Sequence, residues 1–382
     1  MAKADRKRIG FLMINDDLGV VYYLNNIVKS LSNLPDNDKP SIILFYDNTT
    51  QKHLSIFKNY NDIKFEKTVY PNLLKLYLLS IVTQTNYFIN RLQSTHSLDG
   101  IFPVNDLLFK NSLKRTKLVG WITDFQHKFY PNFFSRFNRF VREFRFNKLL
   151  KNADDIVLSS EDTKSHLFRF YKQTHASLHV LNFVSHANLI QCTDSEKVLE
   201  KYNILKPFFI VSNQFYKHKN HIVVIKAIKN IVDKGYTDFE IVFTGKKEDY
   251  RDKTFYPKIE KFIKEYKIEN NVKILGLIPR EEQLSLLKSS VAIIQPSFFE
   301  GWNTSIEDAK TLQKQVICSD IEVHEEQMGD KAYYFNPEND LQLANILMRL
   351  LLKNIKVLPI FDNFNDRVNQ FSSKFIQIFD EN

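Results

Sequence analysis

The sequence predicts an α/β protein made of two Rossmann-like, doubly wound domains. Three observations carry this. Short apolar runs rich in β-branched and aromatic residues alternate with longer segments of helical apolar spacing, the pattern of a parallel sheet covered on both faces. The alternation runs through the chain twice, and 382 residues are enough for two domains. Glycine is scarce at nine residues, yet Gly10, Gly19, Gly120, Gly245, Gly276 and Gly301 all lie in or just after the apolar runs. Loops at strand ends are where open α/β sheets take ligands.

In the first half the expected strands are Arg8–Ile14, Ser41–Tyr46, Gly100–Val104, Lys117–Ile122 and Asp155–Ser159, each followed by a helical segment. In the second half they are Phe208–Ser212, Phe239–Thr244, Val272–Leu275, Val291–Gln295, Gln315–Ser319 and Ala332–Phe335. Helical patterns separate these at His221–Lys234, Phe255–Tyr266, Glu281–Ser289, Thr304–Leu312 and Leu341–Leu352. The polar stretch Asn182–Lys206, ending before Pro207, reads as the junction, which places the domains at 1–190 and 191–360. The tail 361–382 carries Phe371, Phe375, Ile376 and Phe379 at helical spacing and is expected to pack back on the first domain.

Composition narrows the function classes. Hydrophobic residues at 43% and charged residues at 25% are ordinary for a globular chain and exclude a disordered or fibrous one. Two cysteines, Cys192 and Cys318, cannot form a disulfide framework, and the charged start Met1–Arg8 lacks the apolar core of a signal peptide. No run approaches the ~18 apolar residues of a membrane span. The expectation is a cytoplasmic protein. The net charge of +9 suits any polyanion, and no nucleic-acid-binding motif accompanies it.

Four segments concentrate side chains that can do chemistry. In Gln295–Lys310 a buried strand ends at Pro296, a loop carries Glu300, Gly301 and Trp302, and a helix starts near Thr304. Amides at that helix start, beside Asn303, Thr304 and Ser305, suit a phosphate. Glu300 and Asp308 are expected to face one ligand and to hold sugar hydroxyls; the plain alternative is a capped helix with a solvated acidic first turn. In Ser212–His221, Lys217 and Lys219 supply charge to neutralise a diphosphate, and Asn213 and Gln214 supply neutral donors. His218 and His221 lack a third ligand, so no metal site is assigned. Gly19, in Asn15–Val20, allows close backbone approach to a nucleotide, but one glycine is no dinucleotide fingerprint. Trp121–His127 places Asp124 and His127 where a substrate meets them, or His127 is simply packed among aromatics. Asp36-Asn37-Asp38, between two prolines, reads as a turn and not a metal pair. Phe133–Leu150 sets Phe133, Phe137, Phe140, Val141 and Phe144 against Arg136, Arg139, Arg142 and Arg145. It reads as a core helix with a basic edge or, more sharply, as a contact with an anionic membrane surface.

Taken together, the lysine loop, Phe243-Thr244-Gly245, Leu275–Ile278, Pro296-Ser297 before Glu300-Gly301, Glu307-Asp308-Ala309 and Ser319-Asp320 resemble the retaining glycosyltransferases of family 4. The resemblance runs from Phe208 to Pro337, with a looser likeness in the Gly19 loop and from Trp121 to Pro131. It implies the GT-B architecture, two Rossmann-like domains facing each other across a cleft, with the donor on the second and the acceptor on the first. It implies Glu300 as the first carboxylate of a Glu-x7-Glu motif, on the donor sugar, and Asp308 as a shortened second one, on the ribose. Lys219 is the implied diphosphate lysine. The usual arginine five residues earlier is Gln214, and the usual acceptor-side histidine is Thr123, which leaves Asp124 or His127 to serve. The implied activity is metal-independent transfer of a sugar, with retention, from a nucleoside-diphosphate sugar to a glycan or lipid-linked acceptor. The nucleotide sugar is a substrate, and no cofactor is expected. The expected location is cytoplasmic and peripheral on the inner face of the cell membrane. Rivals are a nucleotide-sugar epimerase or hydrolase of the same architecture, and a catalytically silent module that binds nucleotide sugar or glycan.

Overall fold

The first strand, β1 (Arg8–Met13), alternates its burial between two cores. Ile9, Phe11 and Met13 enter one and Leu12 the other, and β2 (Ser41–Tyr46) does the same with Ile42 and Leu44 against Ile43 and Phe45. Such strands, apolar on both faces, belong in a sheet covered on both sides. The computed structural model describes residues 6–380 except 15, 17, 59, 61, 114, 191–192, 250, 356–357 and 359–362. Asn15, Asp17 and Cys192 thus lie outside the described residues.

The chain divides into two units, residues 1–184 with 363–382 and residues 185–362. In the first, β1, β2, β3 (Ile63–Lys67), β4 (Gly100–Val104), β5 (Lys117–Ile122), β6 (Asp155–Leu158) and β7 (Ser177–Val180) form one sheet of order β3-β2-β1-β4-β5-β6-β7, parallel throughout. Its helices are α1 (Leu18–Leu31), α2 (Leu73–Thr83), α3 (Tyr87–His96), α4 (Gln126–Phe129), α5 (Arg136–Asn152) and α6 (Glu161–Phe170). Two strands escape the sequence pattern, β3 and β7, and both are edge strands. Each has one neighbour and little apolar burial, so the runs IKFEK and SLHV lack the signature of a central strand.

The second unit opens with α7 (Ser195–Lys201). Its sheet is made of β8 (Phe208–Ser212), β9 (Glu240–Thr244), β10 (Val272–Gly276), β11 (Ala292–Gln295), β12 (Gln315–Ser319) and β13 (Tyr333–Phe335), in the parallel order β10-β9-β8-β11-β12-β13. Between them run α8 (His221–Val232), α9 (Phe255–Glu265), α10 (Arg280–Ser289), α11 (Thr304–Thr311), α12 (Glu322–Met328) and, after β13, α13 (Asp340–Leu351). The six strands and α8, α9, α10, α11 and α13 agree with their expected ranges to within a residue or two, whereas the sequence pattern gives no helix at α7 or α12. The divide at 184/185 falls six residues before the expected 190/191. The reason is local: Ser185 donates to Asp308, its carbonyl accepts from Thr311, and Ala187 enters the second unit's core.

The last helix, α14 (Phe364–Asp380), belongs to the first unit. Phe375 meets Phe11 and Phe102 edge-on at 5.8 and 5.6 Å. Gly100 is glycine for this helix, since a Cβ there would sit 2.3 Å from the Phe379 ring. Lys117 and Lys7 donate to the carbonyls of Ile378 and Phe379, cations placed at the negative end of the helix dipole. The expected core face of α5 is corrected: Phe137 and Phe140 are exposed, and Leu149 and Leu150 are what the helix buries.

Candidate active site

In each sheet the strand order reverses beside the first strand, between β1 and β4 and between β8 and β11. A crevice opens outside the strand ends at such a switch point. In the second unit that crevice is a pocket of about 310 Å³, lined by the loop after β8 (Ser212, Asn213, Gln214, Lys219), by Thr244 and Gly245 after β9, and by Glu300 and Trp302–Ser305 after β11. Leu277, Ile278 and Gln283 close it.

Lys219 donates to Glu300 Oε1 at 2.6 Å, with both side chains largely buried. The same oxygen accepts from Ser297 Oγ at 2.6 Å and from Asn303 Nδ2 at 3.2 Å. Three donors on one oxygen fix the carboxylate and leave Oε2 to a ligand. Asn303 is the hub of a buried network. Its side-chain oxygen caps α11 through the amide of Ile306, which leaves the earlier first-turn amides to a ligand. Its Nδ2 also lies 3.1 Å from Gln295 Oε1 and 3.4 Å from His324 Nε2. His324 Nδ1 is 3.0 Å from the Ser319 carbonyl, so Nδ1 carries the proton and Nε2 accepts from Asn303. Burial pushes the His324 pKa down to about 4, which keeps the ring neutral. Gln327, one turn along α12, donates to the Asn303 carbonyl at 3.0 Å.

Gly245 has φ +134°, and a Cβ there would lie 2.1 Å from the Asn213 carbonyl oxygen. The two loops therefore touch backbone to backbone at the pocket floor, where Asn213 N–H also donates to Thr244 O.

The structure thus brings Lys219, Glu300, Asn213, Gln214, Gly245, Trp302, Asn303 and Thr304 to one pocket; Gly301 sits in the loop between two of them. It does not bring Lys217 there, which corrects that expectation. The single 3-10 turn Lys217–Lys219 ends at Asn220 in the left-handed region, and Lys217 lines a neighbouring cavity with Lys226 and Lys258. Gln214 therefore gains no cationic substitute from Lys217; its own side-chain oxygen accepts from Lys246 N–H. The expectation that Glu300 and Asp308 face one ligand is also corrected. Asp308 is 2% exposed on the buried face of α11, and its Oδ1 accepts from Arg280 Nη2 and Ser185 Oγ, both at 2.5 Å. Arg280 also donates to Gln283, which lines the pocket, so the buried aspartate is linked to the pocket wall through those two residues.

In the first unit, Gly19 lies in the exposed first turn of α1. His127 is buried beside Phe125, Phe134 and Phe146, with Nε2 2.8 Å from Glu143. Burial, helped by Arg142, lowers its pKa. Asp124 is more open and accepts from Arg142 and from the Gln126 amide. Packing accounts for the histidine, and Asp124 is the more accessible of the two. The crevice between β1 and β4, about 160 Å³, is floored by Asp106, which takes both Arg145 and the hydroxyls of Tyr70 and Tyr77. Asp36-Asn37-Asp38 is a turn, with Asp38 N–H on the Pro35 carbonyl and Lys39 on Asp36.

Arg280, Ser185, Gln283, Ser297 and His324 were not legible as site residues. Each acts through a partner far away in sequence or sits in an unremarkable run, and only Ser297, between Pro296 and the Glu300 loop, lies in a segment already singled out.

Two parallel Rossmann-like sheets with this switch-point pocket define a GT-B fold, and solved structures agree. HepE of Anabaena, in complex with UDP and glucose, superposes with TM-score 0.70 at 15% identity, covering 98% of this chain and 100% of HepE. A glycosyltransferase from Rickettsia africae gives 0.66 at 16%, covering 98% and 94%. At these identities the likeness speaks for the fold. Residues 194–363, nearly the whole second unit, match the model of glycosyl transferases group 1. CapJ of Staphylococcus aureus is 28% identical over 171 residues, 44% of this chain and 41% of CapJ. The O-antigen chain mannosyltransferase RfbU of Salmonella typhimurium is 22% identical over 253 residues, 65% of this chain. The chain spans less than two thirds of either relative, 41% and 64%.

Proposed function

We propose that the protein transfers a sugar from a nucleoside-diphosphate donor to a glycan or lipid-linked acceptor, with retention of configuration and without a metal ion. The observation that carries this is the convergence of Lys219, Glu300 and the first turn of α11 on one pocket at the β8/β11 switch point. Breaking the bond between sugar and diphosphate builds negative charge on the leaving phosphate. Lys219 and the free first-turn amides are the groups that stabilise it. The open oxygen of Glu300 holds hydroxyls of the transferring sugar, where contacts change most during reaction. A front-face displacement, in which the departing phosphate takes the acceptor proton, needs no protein nucleophile. HepE, bound to UDP and glucose, and the mannosyltransferase RfbU give the reading its substrate class.

The test is turnover. The protein is incubated with nucleoside-diphosphate sugars and oligosaccharide or lipid-linked acceptors, with and without EDTA, and the anomeric configuration of the product is read by NMR. The expected result is an α-linked product from an α-linked donor, formed at the same rate in EDTA. Loss of activity in EDTA with rescue by manganese would remove the metal-free reading. Donor binding without turnover on any acceptor would favour the silent module.

A further inference from the structure

The outward face of α2 is aliphatic. Leu74, Leu78, Ile81 and Val82, at i, i+4, i+7 and i+8, form one stripe; Leu74 is 72% exposed and Val82 80%. The opposite face buries Leu76 and Ser80, and Lys75 is the helix's one charge. An outward face of a soluble helix is ordinarily polar, so this stripe has no account in the fold of the first unit.

The stripe continues onto α5. Tyr77 meets Phe144 edge-on at 5.7 Å, and Phe140 and Phe137, one and two turns before Phe144, are 68% and 72% exposed. Seven of the fifteen large apolar side chains exposed among the described residues lie on these two helices and at Val69 just before α2. That concentration is beyond the scattered exposure of an ordinary surface.

Charge identifies the occupant. α5 carries six basic residues, Arg136, Arg139, Arg142, Arg145, Lys148 and Lys151, against one acid, Glu143. Arg142 and Arg145 are drawn inward to Asp124 and Asp106. Arg136, Arg139, Lys148 and Lys151 have no carboxylate partner among the described residues, and Lys148 lies over the Phe144 ring. An apolar stripe rimmed by unpaired cations suits a surface that is apolar within and anionic at its edge. We propose that α2 and α5 dock the first unit on an anionic lipid bilayer, with α2 lying in the interface and the α5 cations on lipid phosphates. No helix of the described residues is long and apolar enough to cross a membrane, so the contact is of the lying kind. The sequence pointed only to α5; the structure adds α2 as the inserted element. The proposal stands independently of the glycosyl-transfer reading.

Flotation of the full chain with vesicles of phosphatidylcholine, with and without phosphatidylglycerol, tests it. The protein is expected to float with the anionic vesicles, less so as salt rises, and to stay behind with the neutral ones. Arg136→Ser with Arg139→Ser is expected to weaken partitioning roughly thirtyfold, about fivefold per cation. Leu74→Ser, Leu78→Ser and Ile81→Ser together are expected to weaken it about a hundredfold while the chain stays folded, because each side chain is at least half exposed. Val82→Trp gives a reading that needs no loss of stability: its emission is expected to shift to the blue on adding anionic vesicles and not neutral ones. Failure to float with anionic vesicles overturns the proposal, as does equal flotation of wild type and both sets of variants. A protein that binds no vesicle but self-associates, and becomes monomeric in the triple serine variant, overturns it too, since the face then joins copies of the chain.

Discussion

Changing Glu300 to Gln should pull two properties in opposite directions. Lys219 and Glu300 are 2.6 Å apart, mostly shielded from water, and the lysine is committed to that carboxylate. A diphosphate has to share the ammonium with it. Hydrogen bonds to a charged partner are worth about 1.5–3 kcal/mol. Gln keeps the shape and one acceptor but not the charge, so roughly half of that is released to the incoming phosphate. Nucleoside-diphosphate affinity should then tighten by about three- to tenfold. Turnover should move the other way, because the charged acceptor on the sugar hydroxyls is gone at the stage where contacts strengthen; about 2–3 kcal/mol, or some thirty- to a hundredfold in kcat, is expected. The assay pairs calorimetric Kd for the nucleoside diphosphate with kcat on the sugar donor, for wild type and Glu300→Gln. A variant that loses nucleotide affinity along with turnover would refute the reasoning, since the carboxylate would then be holding the nucleotide and not competing for its lysine.

Gly245→Ala should cost about 2–4 kcal/mol and abolish nucleotide binding, because its Cβ meets a backbone oxygen that cannot rotate away; Gly276→Ala, which meets only the flexible Lys247 at 3.3 Å, should cost about 1 kcal/mol, and urea unfolding compares the two. Asp308→Asn should lower stability by about 1–2 kcal/mol through the half-exposed Arg280 pair while changing nucleotide Kd less than threefold; a tenfold or larger loss of affinity at unchanged Tm would restore a direct ribose contact. Acid should destabilise the second unit. His218, His221 and His324 are buried neutral, with pKa values pushed down by burial to about 2, 3 and 4. The unfolded chain binds protons below about pH 6.5 that the folded one refuses, so stability is full above that value and falls between pH 6.5 and 4, by about 2–4 kcal/mol per pH unit. Urea midpoints at pH 5 and 7.5 check this; equal midpoints would count against it.

The central strands were legible because each is buried on both faces and is apolar over most of its length, with polar residues confined to its ends. Phe208 to Ser212 shows why: Phe208 and Ile210 enter one core and Phe209 and Val211 the other, so no polar residue interrupts the run. β3 and β7 were not legible because an edge strand is under no such constraint. Most helices of the second unit stood out through their spacing, and α11 also through Asn303 just before Thr304. Phe137 and Phe140 misled for the opposite reason. Their helical spacing is real, but periodicity identifies an apolar face without saying what covers it, and among the described residues both side chains stay exposed.

The site divides along the same physical line. Glu300, Asn303 and Gly245 announce themselves because loops at strand ends have few reasons to carry such residues other than a ligand or a required backbone geometry. Asp308 and Lys217 fail because spacing along a chain is not direction in space. Eight residues from Glu300 lead out of a loop, through a cap and onto the second turn of α11. There the side chain at 308 points into the unit, where an arginine from α10 and a serine from the interunit segment were waiting for a carboxylate. One residue separates Lys217 from Lys219, but a 3-10 turn places them on different cavities. A buried carboxylate needs partners, and those partners come from 28 and 123 residues away, a distance at which no local pattern can announce them. Arg280 is therefore the residue whose change should be most informative. Arg280→Lys keeps the charge but not the fork that reaches both Asp308 and Gln283, so it should loosen Gln283 at the pocket wall while the pair with Asp308 survives.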